Sequence, residues 1–280
     1  MQDCALNYKD LNIQEGYGVT ISKQQLADLP AAAYSGKALV VDSEEDAVKA
    51  AEVLRNADII GFDTETKPSF KRGATYNVAL LQLSTRDICF LIRLNRIGLP
   101  KPIQEILENP SLLKVGVSIH DDFRNLQKVY DLNPEGFIDL QNFVKDFGIV
   151  DNSLSRIYAV LFGKRISKGQ RLTNWEASEL TAHQCDYAAL DALSCIEIYE
   201  RLRTEGFDPA GSPYLTDLVE LARIQEEHAE QARIHALELR QQQQQQAQQQ
   251  QPTEEPAPEA APAPVKKTPK KRHSRHARKQ

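Results

Sequence analysis

Short apolar runs and helical repeats of apolar residues alternate along the first 140 residues. The runs have the length of β-strands and cover residues 38–42, 58–66, 76–85, 87–94, 111–118 and 136–140. Apolar residues three or four positions apart predict helices at residues 43–57, 102–109 and 121–132. Strands in close succession, followed by alternating strands and helices, predict an α/β domain with a mixed sheet.

The rest of the chain has helical spacing to about residue 203, and residues 213–240 predict one long amphipathic helix that packs on the domain. A self-associating coiled coil is the alternative, but its heptads are few and rich in alanine. The Gln-rich, Pro/Ala-rich and basic sequence beyond predicts a disordered tail. We therefore expect an N-terminal extension, an α/β domain, a C-terminal helix and a tail at residues 1–35, 36–205, 206–240 and 241–280.

The formal net charge of −5 is the sum of two unlike parts. Residues 265–280 contain eight Lys or Arg and no acid, which leaves 26 basic against 39 acidic residues, or −13, for residues 1–264. An acidic body argues against a broad surface that coats nucleic acid. The basic end can attract nucleic acid in a salt-dependent manner, or it can serve only to keep the chain soluble.

The sequence has neither the long apolar run of a membrane-spanning protein nor the start of a secreted one. No run approaches 18 apolar residues, and the first residues lack a basic start followed by an apolar stretch. No C-x-x-C pair exists, so neither a zinc ribbon nor a disulfide framework is expected. We expect a cytoplasmic protein with reduced thiols. The cysteines concerned are Cys4, Cys89, Cys185 and Cys195.

Acidic residues stand at the ends of two apolar strands, where charge is costly. Asp63 and Glu65 are two positions apart, so both side chains project from one face of their strand. Asp121 and Asp122 stand where the strand at 111–118 passes into a helix. A bound cation would cancel the repulsion within such a group. The alternatives are a solvated strand end for the first pair and helix caps for the second, with Asp121 the favoured cap.

A third acidic position lies on the helical segment at residues 180–202. Tyr187 and Asp191 are four residues apart and share one helix face, among alanines and leucines. The alternative is a hydrogen-bonded pair in the core. Four carboxylates can hold two divalent ions roughly 3.5–4 Å apart, one near an attacking water and one near the leaving oxygen of a phosphodiester. The tyrosine hydroxyl can orient that water, since its usual pKa near 10 makes it a weak base.

The order of these acids resembles the DEDD superfamily of 3′–5′ exonucleases, in the subgroup that has a catalytic tyrosine. The first motif of that family, D-x-E, matches Asp63 and Glu65. Its third motif, Y-x3-D, matches Tyr187 and Asp191. The subgroup includes ribonuclease D and the Werner syndrome exonuclease domain, and the resemblance covers about residues 36–205.

The second motif of the family, G-x5-D-x3-L, decides between the two neighbouring aspartates. It matches Gly116, Asp122 and Leu126, and therefore selects Asp122 over Asp121. The sibling subgroup has histidine immediately before the tyrosine position, where this chain has Asp186. His183, one helical turn earlier, is interpreted as structural or partly exposed.

The resemblance implies a fold, a cofactor and a reaction. The fold is ribonuclease H-like, with a mixed five-stranded sheet flanked by helices. The cofactor is two Mg²⁺ or Mn²⁺ ions, and the reaction releases nucleoside 5′-monophosphates from the 3′ end of DNA or RNA. The implied catalytic residues are Asp63, Glu65, Asp122, Tyr187 and Asp191, of which the four acids hold the metals.

A basic loop precedes the third motif in the otherwise acidic body. Residues 162–175 contain Lys164, Arg165, Lys168 and Arg171, which we expect to contact substrate phosphates. An ordinary solvated loop is the alternative. Trp175 is expected in the core rather than as a platform for a base, and Asp139 as a helix cap rather than a supporting acid.

Two other functions stay open at this point. The same fold could bind nucleic acid without cleaving it, but a degenerate member would usually have lost a metal ligand. Another metal-dependent phosphoester hydrolase, such as an endonuclease or a small-nucleotide phosphatase, would use the same acids.

Overall fold

The computed structural model of the chain describes residues 13–70 and 75–249. The predictions for residues 1–12 and 250–280, which include Cys4 and the basic end, lie outside the described residues. Residues 1–224 form one compact unit and residues 225–280 a second. In the described part, no helix is both long and apolar enough to cross a membrane.

The predicted strands and helices of the α/β domain are confirmed to within a few residues. The elements follow the chain in this order: β1 Tyr17–Val19, α1 Lys23–Asp28, β2 Lys37–Val41, α2 Glu44–Leu54, β3 Ile59–Thr66, β4 Val78–Ser84, β5 Ile88–Ile92, α3 Leu94–Ile97, α4 Lys101–Leu107, β6 Leu113–Gly116, α5 Ile119–Gln127, β7 Phe137–Asp139, α6 Leu140–Phe143, α7 Leu154–Phe162, α8 Ala182–Glu200, β8 Leu215–Asp217 and α9 Leu218–Gln249. A 3₁₀ segment at Val144–Phe147 follows α6, and a π-helical segment at Arg201–Glu205 follows α8.

Six strands form a mixed sheet in the order β2-β5-β4-β3-β6-β7. Strand β4 runs antiparallel to β3 and β5, whereas the β2/β5, β3/β6 and β6/β7 pairs are parallel. The mixed sheet is as predicted, but the expected count of five strands was wrong. Both edge strands pair into the sheet, and β7 does so through only three residues.

Helices cover both faces of this sheet, so its central strands are buried on both sides. One apolar cluster joins α2, α4 and α5 to the sheet, and a second joins α7 and α8 to the opposite face. Helix α8 crosses close to β3 because Gly61 has no side chain. A Cβ atom at Gly61 would lie 1.9 Å from the carbonyl oxygen of Ala192. Glycine is therefore required at this point for the helix to approach the strand.

The N-terminal extension packs on the domain over its described residues. Strand β1 pairs antiparallel with β8, and Val19 and Ile21 are fully buried. Asp151 fixes this segment, since its carboxylate accepts hydrogen bonds from the Ile21 amide at 2.9 Å and the Thr20 hydroxyl at 3.0 Å. Arg156 donates to the same carboxylate at 2.5 Å.

The C-terminal helix differs from the prediction at both ends. It begins at Leu218 rather than near residue 213, because Asp217 caps it by accepting hydrogen bonds from the Val219 and Glu220 amides at 3.0 and 3.1 Å. It continues to Gln249, nine residues into the segment for which the sequence predicts disorder. Glutamine favours helices well, and a helix once nucleated extends readily through such residues.

Candidate active site

Asp63 and Glu65 stand at the carboxyl end of β3, on the side that α8 covers. Glu65 is 8 % exposed, and the pairing of β3 with β4 shifts register directly after it, between Glu65 and Thr66. Bulges of this kind often turn a strand end beside an active site. Asp63 lies opposite Gln82 of β4. The Asp63 carboxylate accepts one main-chain hydrogen bond there, from the Thr64 amide at 2.9 Å.

Asp122 reaches the same place from the first turn of α5. The turn before this helix holds Ser118 at φ 64°, and Ser118 is the one residue other than glycine with positive φ in the described part of the chain. The Ser118 amide donates to the Asp139 carboxylate at 3.0 Å, which holds this strained turn. Asp122 also accepts a short hydrogen bond from the hydroxyl of Thr64, the residue that stands between the two acids of the first motif.

The neighbouring acids have structural roles. Asp139 caps α6 by accepting from the Gln141 amide at 2.9 Å, as expected. Asp121 is exposed and pairs with Arg124 at 3.1 Å. The prediction that Asp121 caps α5 was wrong, because the helix begins earlier, with Ser118 at its cap position.

Helix α8 carries the third motif across the sheet. It begins with a capping box in which the Thr181 and Gln184 side chains each bond the other's backbone amide. One turn further on, the Tyr187 hydroxyl is hydrogen-bonded to Asp191, whose side chain is 5 % exposed. Trp175 is fully buried, as expected, with its ring centroid 6.2 Å from that of Tyr187. The tyrosine is thus held from two sides.

Burial raises the pKa values of all four acids, and the charges of neighbouring acids of the site add to this at Asp63 and Glu65. Burial, followed by the charges of Asp191, Asp122 and Glu65, raises the pKa of Asp63 well above its ordinary range. Burial and the charges of Asp191 and Asp122 raise the pKa of Glu65 to about 9. Burial is also the main cause for Asp122, at about 6, and for Asp191, at about 7. The same effects raise the pKa of Tyr187, so this phenol stays protonated at neutral pH.

A cavity of about 430 Å³ opens beside these groups, and Asp63, Tyr187 and Asp191 line it. Of the four basic residues predicted to contact substrate, Lys168 and Arg171 also line it. The Lys168 charge lowers the pKa of Asp191, and the Arg171 charge lowers that of Glu65. These two cations therefore lie near the carboxylates.

The structure does not bring the other two predicted basic residues into this cavity. Lys164 is exposed. The Arg165 Nε donates to the Leu29 carbonyl oxygen at 3.0 Å, and its backbone pairs with the N-terminal extension. Arg165 thus joins the loop to the extension, which the local sequence could not reveal.

Two polar residues next to the acids were missed by sequence reasoning. Thr64 was passed over between the acids of the first motif, although it holds Asp122. Gln82 was included in an apolar strand of the core. It is fully buried, and its side-chain amide has no hydrogen-bond partner among the described groups. A polar residue in the middle of the VALLQLS run was the available signal, because a buried amide without a partner is costly.

The chemistry of the donor set suits hard divalent cations. Four converging carboxylates are the ligands that Mg²⁺ and Mn²⁺ prefer, and their raised pKa values indicate charge that the protein alone leaves uncompensated. Within the described residues, the acids do not already form a group of three or more in metal-binding geometry. Small rotations of the side chains would have to complete such a centre.

Comparison with known proteins agrees with this arrangement. The family model described as 3′-5′ exonuclease matches residues 39–206, more than half of the chain. The chain belongs to the 3′–5′ exonuclease family. The mouse protein named bifunctional 3′-5′ exonuclease/ATP-dependent helicase WRN is 31% identical over 159 residues. That match covers 55% of this chain but only 11% of the mouse protein, so the chain corresponds to a small part of that relative.

Solved structures show the same fold as this chain. The Nibbler EXO domain of Aedes aegypti superposes with a TM-score of 0.55 at 23% identity, covering 64% of this chain and 96% of that one. Ribonuclease D of Trypanosoma brucei, solved in complex with RNA U12, gives a TM-score of 0.54 at 19% identity and covers 74% and 72% of the two chains. Both likenesses support the ribonuclease H-like α/β architecture predicted from sequence.

Proposed function

We propose that this exonuclease removes nucleotides one at a time from the 3′ end of a single strand of nucleic acid, with two Mg²⁺ or Mn²⁺ ions as cofactors. One observation carries the proposal: four carboxylates with raised pKa values lie close together, and two of them line a cavity with a hydrogen-bonded tyrosine and two cations. Asp63, Glu65, Asp122 and Asp191 would hold the ions. When bound, the ions would activate water and neutralise charge on the phosphate.

The residues of the chain divide the remaining work. Tyr187 keeps its proton and is hydrogen-bonded to Asp191, so we assign to its hydroxyl the orientation of the attacking water rather than its deprotonation. Lys168 and Arg171 bind phosphate oxygens and reduce the repulsion between the phosphates and the carboxylates of the site. The water oxygen bonds to phosphorus, the bond from phosphorus to the 3′ oxygen of the preceding nucleotide breaks, and that oxygen takes up a proton. A nucleoside 5′-monophosphate leaves.

The test is the pattern of products from end-labelled strands. With Mg²⁺ or Mn²⁺, a 5′-labelled strand should shorten in a stepwise ladder, and a 3′-labelled strand should release labelled mononucleotide at once. Fragments from internal cleavage would instead indicate an endonuclease, and binding without any product would indicate an inactive nucleic-acid-binding protein. Activity that persists in the Asp63→Ala variant would exclude this cavity as the catalytic centre.

The choice between DNA and RNA is tested with matched 3′ ends. Strands of the same base sequence with deoxyribose or ribose at every position differ only in the 2′ hydroxyl. That hydroxyl is the group by which proteins distinguish RNA from DNA. The T. brucei relative that was solved with RNA supports RNA as one substrate. The ratio of the two kcat/KM values identifies the preferred sugar.

A cytoplasmic location, expected from the reduced thiols, belongs to the same proposal.

A further inference from the structure

The amino end of α7 opens onto the catalytic cavity. Ser153 occupies the cap position, with φ −101° and ψ 139°, and the helix begins at Leu154. Ser153, Leu154 and Ser155 all line the cavity, together with Lys168 and Arg171. The lining of the cavity therefore combines the carboxylates of Asp63 and Asp191, two cations and the amino end of a helix.

Two hydroxyls at this helix end have no partner. Ser43 and Thr181 at other helix starts accept hydrogen bonds from backbone amides, but Ser153 makes no such capping bond. The Ser153 and Ser155 hydroxyls are both buried and lack any hydrogen-bond partner in the described part of the chain. Ser155 as a whole is 6 % exposed. A buried hydroxyl without a partner costs free energy, and since both serines line the cavity, a ligand bound there is placed to supply the missing hydrogen bond.

The charge at this end of the cavity favours an anion. The first turn of a helix presents free amide donors and the positive end of the helix dipole, and anionic groups bind there readily. Lys168 and Arg171 add two positive charges to the same cavity. A sugar or a base could also bond to serine, but neither would gain from the helix dipole or from the cations. A phosphate gains from all three.

The position of that phosphate follows from the reaction, and this step rests on the proposed function. The scissile phosphate would lie at the four carboxylates. On its 3′ side the substrate has only a terminal nucleoside with a free hydroxyl. A second phosphate in the same cavity must therefore come from the 5′ side of the scissile one.

We propose that the amino end of α7, with the hydroxyls of Ser153 and Ser155, binds the phosphate immediately 5′ to the one being cleaved. The subsite gives the enzyme a requirement for two consecutive phosphates. A substrate with one phosphodiester and no 5′ phosphate leaves the subsite empty, whereas the same dinucleotide with a 5′ phosphate fills it.

The test compares two dinucleotides, with and without a 5′ phosphate, as substrates of the full chain in Mg²⁺. For the unaltered protein we expect the 5′ phosphate to raise kcat/KM by about tenfold, as one charge-assisted contact provides. In the Ser153→Ala/Ser155→Ala double variant this gain should fall to about twofold or less. The Ser111→Ala variant, which removes an exposed hydroxyl outside the cavity, should keep the full gain.

Binding separates this inference from the proposed function. The two dinucleotides compete with a fluorescently labelled strand for the protein in chelator, so no cleavage is needed. A competitive advantage of the 5′-phosphorylated dinucleotide that disappears in the double variant supports the subsite even if no strand is ever cleaved. Equal competition by both dinucleotides, or an advantage that survives in the double variant with an unchanged melting temperature, overturns it.

Discussion

Asp151 and Asp191 are buried to nearly the same extent, at 6 % and 5 % exposed, but their surroundings are opposite. Both oxygens of Asp151 accept hydrogen bonds, and Arg156 compensates its charge. Asp191 faces other carboxylates, and its one hydroxyl partner is Tyr187. The first arrangement can only hold the fold together. The second leaves negative charge for a ligand to neutralise, which is how functional sites differ from structural ion pairs.

The Asp63→Ala variant should show the largest effect on activity. Removal of a metal-binding carboxylate should lower kcat by about 10³-fold or more, because the ions account for several kcal/mol of transition-state stabilisation. The variant should be at least as stable as the unaltered protein in chelator, since one of four repelling charges is gone. Exonuclease rates and thermal melting of the same preparation measure both effects. A variant that melts earlier and retains its activity would assign Asp63 to the fold instead.

The Asp151→Ala variant should behave in the opposite way. It leaves Arg156 and the Ile21 amide without their partner, so unfolding should become easier by about 3 kcal/mol. Activity per folded molecule should stay within about twofold, because Asp151 is not among the residues that line the cavity. Urea unfolding and rates at low temperature check the two parts. A large loss of kcat in the folded protein would contradict the comparison.

The Tyr187→Phe variant keeps the ring and removes only the hydroxyl. We expect kcat to fall by about 10²-fold, the lower end of what a positioned polar group contributes to water attack. Mn²⁺ binding, followed by calorimetry, should persist because the four carboxylates are untouched. Unchanged turnover would show that the hydroxyl has no part in catalysis.

The metal-free protein should lose stability as the pH rises. The folded-state pKa values of Glu65, Asp191 and Asp122 are raised to about 9, 7 and 6, above the value near 4 of unfolded acids. The native state therefore binds more protons than the unfolded state between about pH 4 and pH 9, and its stability falls across that window.

The expected loss is about 6 kcal/mol between pH 5.5 and pH 8, more than half of it from Glu65, and urea unfolding in chelator measures it. Mg²⁺ or Mn²⁺ should raise the melting temperature more at pH 8 than at pH 5.5, because the ligands bind metal only after losing their protons. The Asp63→Asn variant should show a shallower pH dependence. A flat profile in the unaltered protein would mean that solvent already screens these acids.

The smallest expected difference in activity is between the two basic residues that line the cavity, Lys168 and Arg171, and Lys164, which does not line it. Lys168→Ala and Arg171→Ala should each raise KM by about tenfold at low salt, and Lys164→Ala, with the same loss of charge in the same loop, should change it by less than about twofold. The difference should shrink at high salt because surface charges are then screened. Equal effects of all three substitutions would mean that the loop acts only through its net charge.

The residues of the candidate site were predictable where the local period of the backbone decides. Asp63 and Glu65 share a strand face because side chains alternate along a strand. Tyr187 and Asp191 share a helix face because residues four apart lie one turn apart on a helix. Thr64 was missed because its hydrogen bond goes to Asp122 on a distant helix, and Gln82 because its place opposite Asp63 depends on strand pairing. The strand at β7 was predicted from its own residues, and only the count of five strands implied by the resemblance was wrong, because the pairing of β7 with β6 is a tertiary feature.

The sequence by itself determined the strands and helices, the three acidic motifs and the likeness to 3′–5′ exonucleases, because these depend on spacings of a few residues. Only the tertiary structure decided which groups meet. Gly61 lets α8 approach β3, and the β3/β6 pairing brings Asp122 beside Asp63 across more than fifty residues. Arg165 donates a hydrogen bond to the N-terminal extension, and the serines of α7 line the cavity. Such contacts depend on how distant segments pack, which no local pattern records.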